Sequence, residues 1–278
     1  MIHFTKLHGN GNDFILIDEY KGEIVPEKSS FARKYCDRRF GIGADGVLYL
    51  GSSDIADIRM RIFNPDGTEA EMCGNGIRCL VKYALDEGYV GENASVETPA
   101  GILFVSSRID EKIWVTVNMG KPAFEREKIP AKGTGKFLIV AMHGYNVSAV
   151  NTGVPHAVTF VDELDDPDLM RAAPRIRVDP IFPKGANVNF VLVNSNKEIT
   201  VRTYERGVES ETLSCGTGAV AAAAITHRLG KTGNMVKVNT KGGELRITLS
   251  KDGAFMEGSA ERVFEGTVLE QGYVKQFF

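Results

Sequence analysis

Cys73-Gly74-Asn75-Gly76 and Cys215-Gly216-Thr217-Gly218 are one turn written twice. Laying the second on the first sets an offset of 215 − 73 = 142, and the same offset holds without a gap well beyond the motif. It pairs Gly88 with Gly230, Gly91 with Gly233, Val96 with Val238, Thr98 with Thr240, Gly101 with Gly243 and Leu103 with Leu245. Run backwards, it pairs Gly43-Ala44 with Gly185-Ala186 and Gly11 with Gly153. Chance matches among common glycines would not carry Cys, Thr, Val and Leu in one register, so the chain reads as a duplication. Residues 1–117, with a C-terminal tail 266–278 packing back on them, are expected to form one half, and residues 118–265 the other.

Each half reads as strand, glycine-rich turn, strands, a Cys-Gly-x-Gly turn opening a helix, and then more strands. The runs Leu80–Glu87 and Ala219–Leu229 are apolar and mostly helix-forming, and they stop at Gly88 and Gly230, which suit the end of a helix. Ala219–Ala224 is apolar all round, as a helix buried inside its own domain should be. Ile113–Val117, Val188–Val193 and Leu245–Leu249 are strand-like by their β-branched content. The expected class is α/β (α+β), with two pseudo-symmetric, strand-rich domains each built around one helix.

The composition agrees with this and narrows the function. A chain of 278 residues suits two domains, and 25% charged residues, 43% apolar residues and a net charge of −3 are ordinary for a soluble globular protein. Nothing in that balance points to nucleic acid. No apolar run approaches the length of a membrane span, and Met1-Ile2-His3-Phe4-Thr5-Lys6 lacks a signal-peptide pattern, so a cytoplasmic location is expected. Four cysteines in such a chain read as thiols rather than disulfides. Cys73 and Cys79 are too far apart in sequence for a zinc pair, and no metal is expected. Cys36 and Cys79 read as small buried apolar residues.

Cys73 and Cys215 read differently, because each stands at the mouth of a helix. There the macrodipole and unpaired backbone N–H groups favour thiolate over thiol, and the adjacent glycines let an anion approach the amides. Two such thiols in facing domains would put one on each side of a ligand in the cleft, as a two-base racemase or epimerase requires: one thiolate removes an α-proton while the opposite thiol supplies another. Two helix N-termini aimed at one α-carboxylate would stabilise the developing carbanion without a pyridoxal electron sink. The turns alone leave open that the two cysteines merely pack in a repeated motif.

The ordered segments Lys6–Phe14, Gly41–Gly46, Phe63–Gly67, Met72–Cys79, Pro155-His156, Ala186–Val188, Tyr204–Gly207 and Ser214–Gly218 resemble the diaminopimelate epimerase family over essentially the whole chain. The resemblance implies a strand barrel around a helix in each half and an active site in the cleft between them. It implies cofactor-independent interconversion of LL- and meso-2,6-diaminopimelate in lysine biosynthesis, and a homodimer. On matching positions it makes Cys73 and Cys215 the acid–base pair. It puts Asn12, Asn64, Gly74, Asn75, Asn187, Glu205, Arg206, Gly216 and Thr217 on the substrate, with Arg206 suited to the distal carboxylate by its planar fork. His156 and Glu205 would set the protonation of the thiols.

Read alone, His156 is better taken as a hydrogen-bonded loop histidine, Glu205-Arg206 could be a surface ion pair, and Asn12 and Asn64 could be turn residues. Asp45 reads as structural. Two positions depart from the family pattern: Val154 where Asn precedes Pro-His in many relatives, and Gly46 where some carry glutamine. The nearest rival is a proline or hydroxyproline racemase, whose first turn typically has His after Cys-Gly where this chain has Asn75. A binding module on the same scaffold would leave both thiols without a task.

Overall fold

The computed structural model describes residues 1–269. The chain divides into two compact units, one of Met1–Val115 together with the described residues from Ala260, the other Thr116–Ser259.

The first unit opens with β1 (Ile2–Gly9) and β2 (Asn12–Glu19), an antiparallel hairpin turning on Asn10 and Gly11. Both turn residues have positive φ, 54° and 80°, which the Asn-Gly pair accommodates and which matches the twist of the flanking strands. After α1 (Lys28–Tyr35), β3 (Gly46–Gly51) lies parallel to β2 and β4 (Ile58–Phe63) antiparallel to β3. Then come β5 (Glu69–Ala70), α2 (Gly74–Asp86), β6 (Asn93–Thr98) parallel to β4, β7 (Gly101–Ile109) and β8 (Ile113–Asn118), in which the first unit ends.

Phe14-Ile15-Leu16-Ile17 in β2 is apolar without alternation because both of its faces are covered. Ile15 and Ile17 join Phe4, Val47, Tyr49 and Phe63 under α1 residues Phe31 and Ala32. The alternate residues, among them Leu48 and Ile62, turn to α2, where both come close to Gly76. Helix α2 is packed against β1, β2, β3 and β4.

The second unit repeats the plan: β9 (Val140–Met142), β10 (Tyr145–Asn151), β11 (Pro155–Phe160), α3 (Asp168–Arg177), β12 (Asn187–Ser195), β13 (Glu198–Glu205), β14 (Ser210–Thr212), α4 (Gly216–Arg228), β15 (Met235–Thr240), β16 (Gly243–Ser250) and β17 (Gly253–Ser259). The pairs β11–β12 and β13–β15 are parallel, as β2–β3 and β4–β6 are in the first unit. Helices α2 and α4 start at 74 and 216, β6 and β15 at 93 and 235, and β7 and β16 at 101 and 243, each pair one offset apart. Ala219–Ala224 is buried throughout, with β10, β11, β12, β13, β15, β16 and β17 packed around α4. The helices hand over to Gly88 and Gly230 at φ 73° and 69°.

After β17 the chain returns, and β18 (Glu261–Val268) pairs antiparallel with β1. The return thus falls at Ala260 rather than at 266, and residues 270–278 of the expected tail lie outside the described residues. The difference has a physical origin: whether a strand-like run such as Arg262-Val263-Phe264 pairs with one sheet or another is decided by long-range partners, not by its own composition.

Candidate active site

Cys73 is the N-cap residue of α2, with extended backbone (φ −141°, ψ 120°). Its Sγ accepts the N–H of Gly76 at 3.4 Å, in the place a capping serine or aspartate oxygen usually takes. The amides at the start of the helix have no carbonyl one turn behind them and carry its positive dipole end. On the other side Cys73 Sγ lies 3.8 Å from Oδ1 of Asn12, at the start of β2. That oxygen also takes Nδ2 of Asn75 at 3.1 Å, while Asn12 Nδ2 donates to Asp45 Oδ2 at 2.7 Å. The Asn12 amide is thereby fixed end for end, with its oxygen toward the thiol. Asp45 in turn is held by Arg38, which also grips Asp13. Burial alone would raise the Asp13 carboxyl, but hydrogen bonds from Arg38 and Lys6 outweigh it and hold it at about 2. Asp45, a structural residue by sequence, thus anchors a candidate substrate residue.

Cys215 is the N-cap residue of α4, with the same extended backbone (φ −119°, ψ 111°) but no capping bond from its side chain, and is buried. Its Sγ meets the Thr217 hydroxyl at 3.4 Å, and that hydroxyl meets His156 Nε2 at 3.0 Å. The direction of this chain follows from its far end. Thr203 Oγ1 donates to Asn189 Oδ1 at 3.0 Å, so Asn189 presents Nδ2, which donates to the Ala157 carbonyl and to His156 Nδ1, each at 3.1 Å. A ring nitrogen that accepts leaves the proton on Nε2, which then donates to Thr217, and the Thr217 hydroxyl is free to donate to sulfur. His156 is fully buried, and that burial, helped by the nearby Arg206 charge, pushes it down to about 3. It is a neutral donor. The Asn187 amide nitrogen, 3.4 Å from His156 Nε2, donates instead to the Pro155 carbonyl at 3.2 Å.

Asn187 opens β12, and its Oδ1 accepts the backbone N–H of Arg206 at 2.8 Å. The Arg206 guanidinium donates through Nη1 to the carbonyls of Lys184 and Gly185. Glu205 ends β13, where its carbonyl accepts the N–H of Glu209 at 2.8 Å. Asn64 is bonded within its own turn: its Nδ2 donates to Thr68 Oγ1 at 3.0 Å and its carbonyl accepts the N–H of Gly67. Gly74 and Gly216 are the first helical residues after the two thiols. Val154 accepts from the Thr152 amide at 3.2 Å, and at Gly46 a side chain would start 3.0 Å from the Phe63 carbonyl. Cys36 and Cys79 are core residues, and burial pushes both thiols up to about 12.

Asn189, Thr203 and Asp45 belong to these clusters, as does Arg78, whose guanidinium donates to Asn75 Oδ1, and the sequence did not mark them as site residues. Asn189 carried a signal: a polar residue at an inward position of the apolar strand β12, fully buried. Arg78 carried another, as an arginine within the apolar run of α2.

The fold recurs elsewhere. A crystal structure of a phenazine biosynthesis protein of the PhzF family from Bacillus anthracis superposes with a TM-score of 0.74 over 97% of this chain and 99% of that one, at 19% identity. The class is therefore the duplicated α/β fold that this structure shares. Within it, the sequence profile of the diaminopimelate epimerase family matches residues 4–125 and 148–263. The diaminopimelate epimerase of Methanothrix thermoacetophila is 60% identical over 97% of both chains, and that of Archaeoglobus fulgidus 56% identical over 95% of both. The chain belongs to the diaminopimelate epimerase family.

Proposed function

We propose that Cys73 and Cys215 are the acid–base pair with which this member of the family, an isomerase of lysine biosynthesis, interconverts LL- and meso-2,6-diaminopimelate. The observation that carries this reading is that each duplicated unit places a cysteine at the N-cap position of its own buried helix, beside glycine amides. One thiolate takes the α-proton from one face of the carbon, the other thiol delivers a proton to the opposite face, and the two residues exchange protonation states with each turnover. The substrate α-carboxylate lies against the amides of Gly74-Asn75 and Gly216-Thr217, each helix end contributing roughly half a positive charge to the enolate-like transition state. The thiols and amides suffice for this chemistry without a pyridoxal group or metal.

Arg206, whose fork is oriented by two backbone carbonyls, takes the distal carboxylate, with Asn12, Asn64, Asn187 and Glu205 around the rest of the substrate. His156 acts on Cys215 through Thr217, and Glu205 on the balance between the thiols. A cytoplasmic homodimer is the assembly the family resemblance supports, and sedimentation at micromolar concentration tests the dimer. The reaction is tested by following α-deuterium incorporation in deuterated water with LL-diaminopimelate, proline and lysine: exchange with inversion is expected for the first alone. Turnover of proline instead would make the chain a racemase on the same fold.

A further inference from the structure

Among the described residues Arg78 is the most deeply buried charge, with no exposed surface, and nothing in the proposed reaction uses it. It sits in the second turn of α2 and reaches back over the Cys73 turn. Nε donates to the Gly74 carbonyl at 3.3 Å, Nη1 to Asn10 Oδ1 at 2.8 Å and Nη2 to Asn75 Oδ1. The last bond decides how the Asn75 amide lies. With its oxygen taken by the guanidinium, its nitrogen points to Asn12 Oδ1, the same oxygen that faces the Cys73 thiol.

The duplication supplies an internal control. The position equivalent to Arg78 is 78 + 142 = 220, where Val220 is equally buried in α4. A small apolar side chain therefore fills this place in the fold, and packing does not call for an arginine. Its companions change with it: Asn10, Asn12 and Asn75 correspond to Thr152, Val154 and Thr217. The backbone has also made room. Gly9 does not have positive φ, but a Cβ there would stand 3.2 Å from Arg78 Nη2 and 3.2 Å from the Asn75 carbonyl, and its counterpart in the second unit is Asn151.

We propose that Arg78 is a positioning residue for the reaction: by holding Asn75 Oδ1 it aligns Asn75 and Asn12 against Cys73, and so sets the geometry of one thiol without touching substrate. Without it the Asn75 amide can rotate and set oxygen against oxygen at Asn12, so the oxygen that faces the Cys73 thiol loses its donor from Asn75 and is pushed out of line, held only from the Asp45 side. This inference rests on the reading of Cys73 as an acid–base group.

The test compares Arg78→Met, Arg78→Lys, Arg78→Ala and Gly9→Ala with Cys73→Ser in the full-length protein. It measures kcat and KM for LL-diaminopimelate together with circular dichroism. Arg78→Met is expected to fold and to lose about tenfold or more in kcat, with KM changed by less than about threefold, since a lost charge-assisted hydrogen bond is of that size. Arg78→Lys keeps the charge but not the fork and should recover only part of the rate. Gly9→Ala, which retains Arg78 but crowds it, should show the same split in milder form. Millimolar guanidinium ion should raise kcat of Arg78→Ala and leave wild type unchanged. Wild-type kcat in Arg78→Met beside an inactive Cys73→Ser overturns this proposal alone. Rescue of stability by guanidinium without rescue of kcat also overturns it, by making the role structural. Should Arg78→Met fail to fold, Gly9→Ala and Arg78→Lys decide, and wild-type kcat in both overturns it. An active Cys73→Ser overturns the thiol reading and this proposal with it.

Discussion

His156 Nε2 lies 3.0 Å from the hydroxyl of Thr217, and through that hydroxyl its influence reaches Cys215. A neutral imidazole that donates to a threonine, which donates to sulfur, stabilises a negative sulfur without itself changing charge. Thr217→Val should therefore lower kcat by about 10- to 100-fold, the worth of one hydrogen bond to a charged group, whereas Thr217→Ser should stay near wild type. Single-turnover α-proton exchange measures both.

The burial of His156 has a cost on the acid side. Its proton affinity is depressed in the folded chain, so between the usual histidine range and about 3 the unfolded chain binds the extra proton and the folded chain does not. Stability from this group is full above pH 6.5 and falls as pH drops toward 3, by up to about 1.4 kcal/mol per pH unit. Urea melts from pH 7 to 4 should show this slope in wild type and a shallower one in His156→Gln.

A serine hydroxyl is too weak an acid to alternate as base and acid near neutrality, so Cys73→Ser and Cys215→Ser should each lose about 100-fold or more in epimerisation. Either variant turning over LL-diaminopimelate at the wild-type rate would refute the two-thiol mechanism.

Asp45 is partly exposed, and its removal should barely alter stability, because exposed ion pairs contribute little. Its bond to Asn12 predicts a different outcome for substrate: Asp45→Ala should raise KM severalfold while the midpoint of thermal unfolding stays within a few degrees.

Gly218 has no room for a side chain, since a Cβ would stand 2.6 Å from Asn189 Oδ1 and 3.3 Å from Cys215 Cβ. Gly218→Ala is expected to cost about 1–3 kcal/mol in denaturant unfolding, although alanine is the better helix former. Added stability in the variant would mean that Asn189 can move.

The duplication was legible because the same Cys-Gly-x-Gly turn opens the buried helix of each unit, one offset apart. The helices were legible because Ala219–Ala224 has no polar face to expose. The polar clusters were not. Asn189 and Thr203 matter through the amide orientation they impose on each other, a relation between strands that neither residue displays in its own neighbourhood. Asp45 was hidden in a segment whose glycines explain themselves as turns. Asn64 was legible from its motif alone, since its bond to Thr68 is one that any turn residue could make.

The pairing of β18 with β1 also bears on how the chain is made. The second unit is one continuous stretch, Thr116–Ser259, and the edge of its β10 is covered by its own β9. The first unit has to wait for β18 before the corresponding edge of β1 is covered. On the ribosome, the half synthesised first is therefore the half completed last, and until β18 emerges its β1 edge is open to wrong pairing.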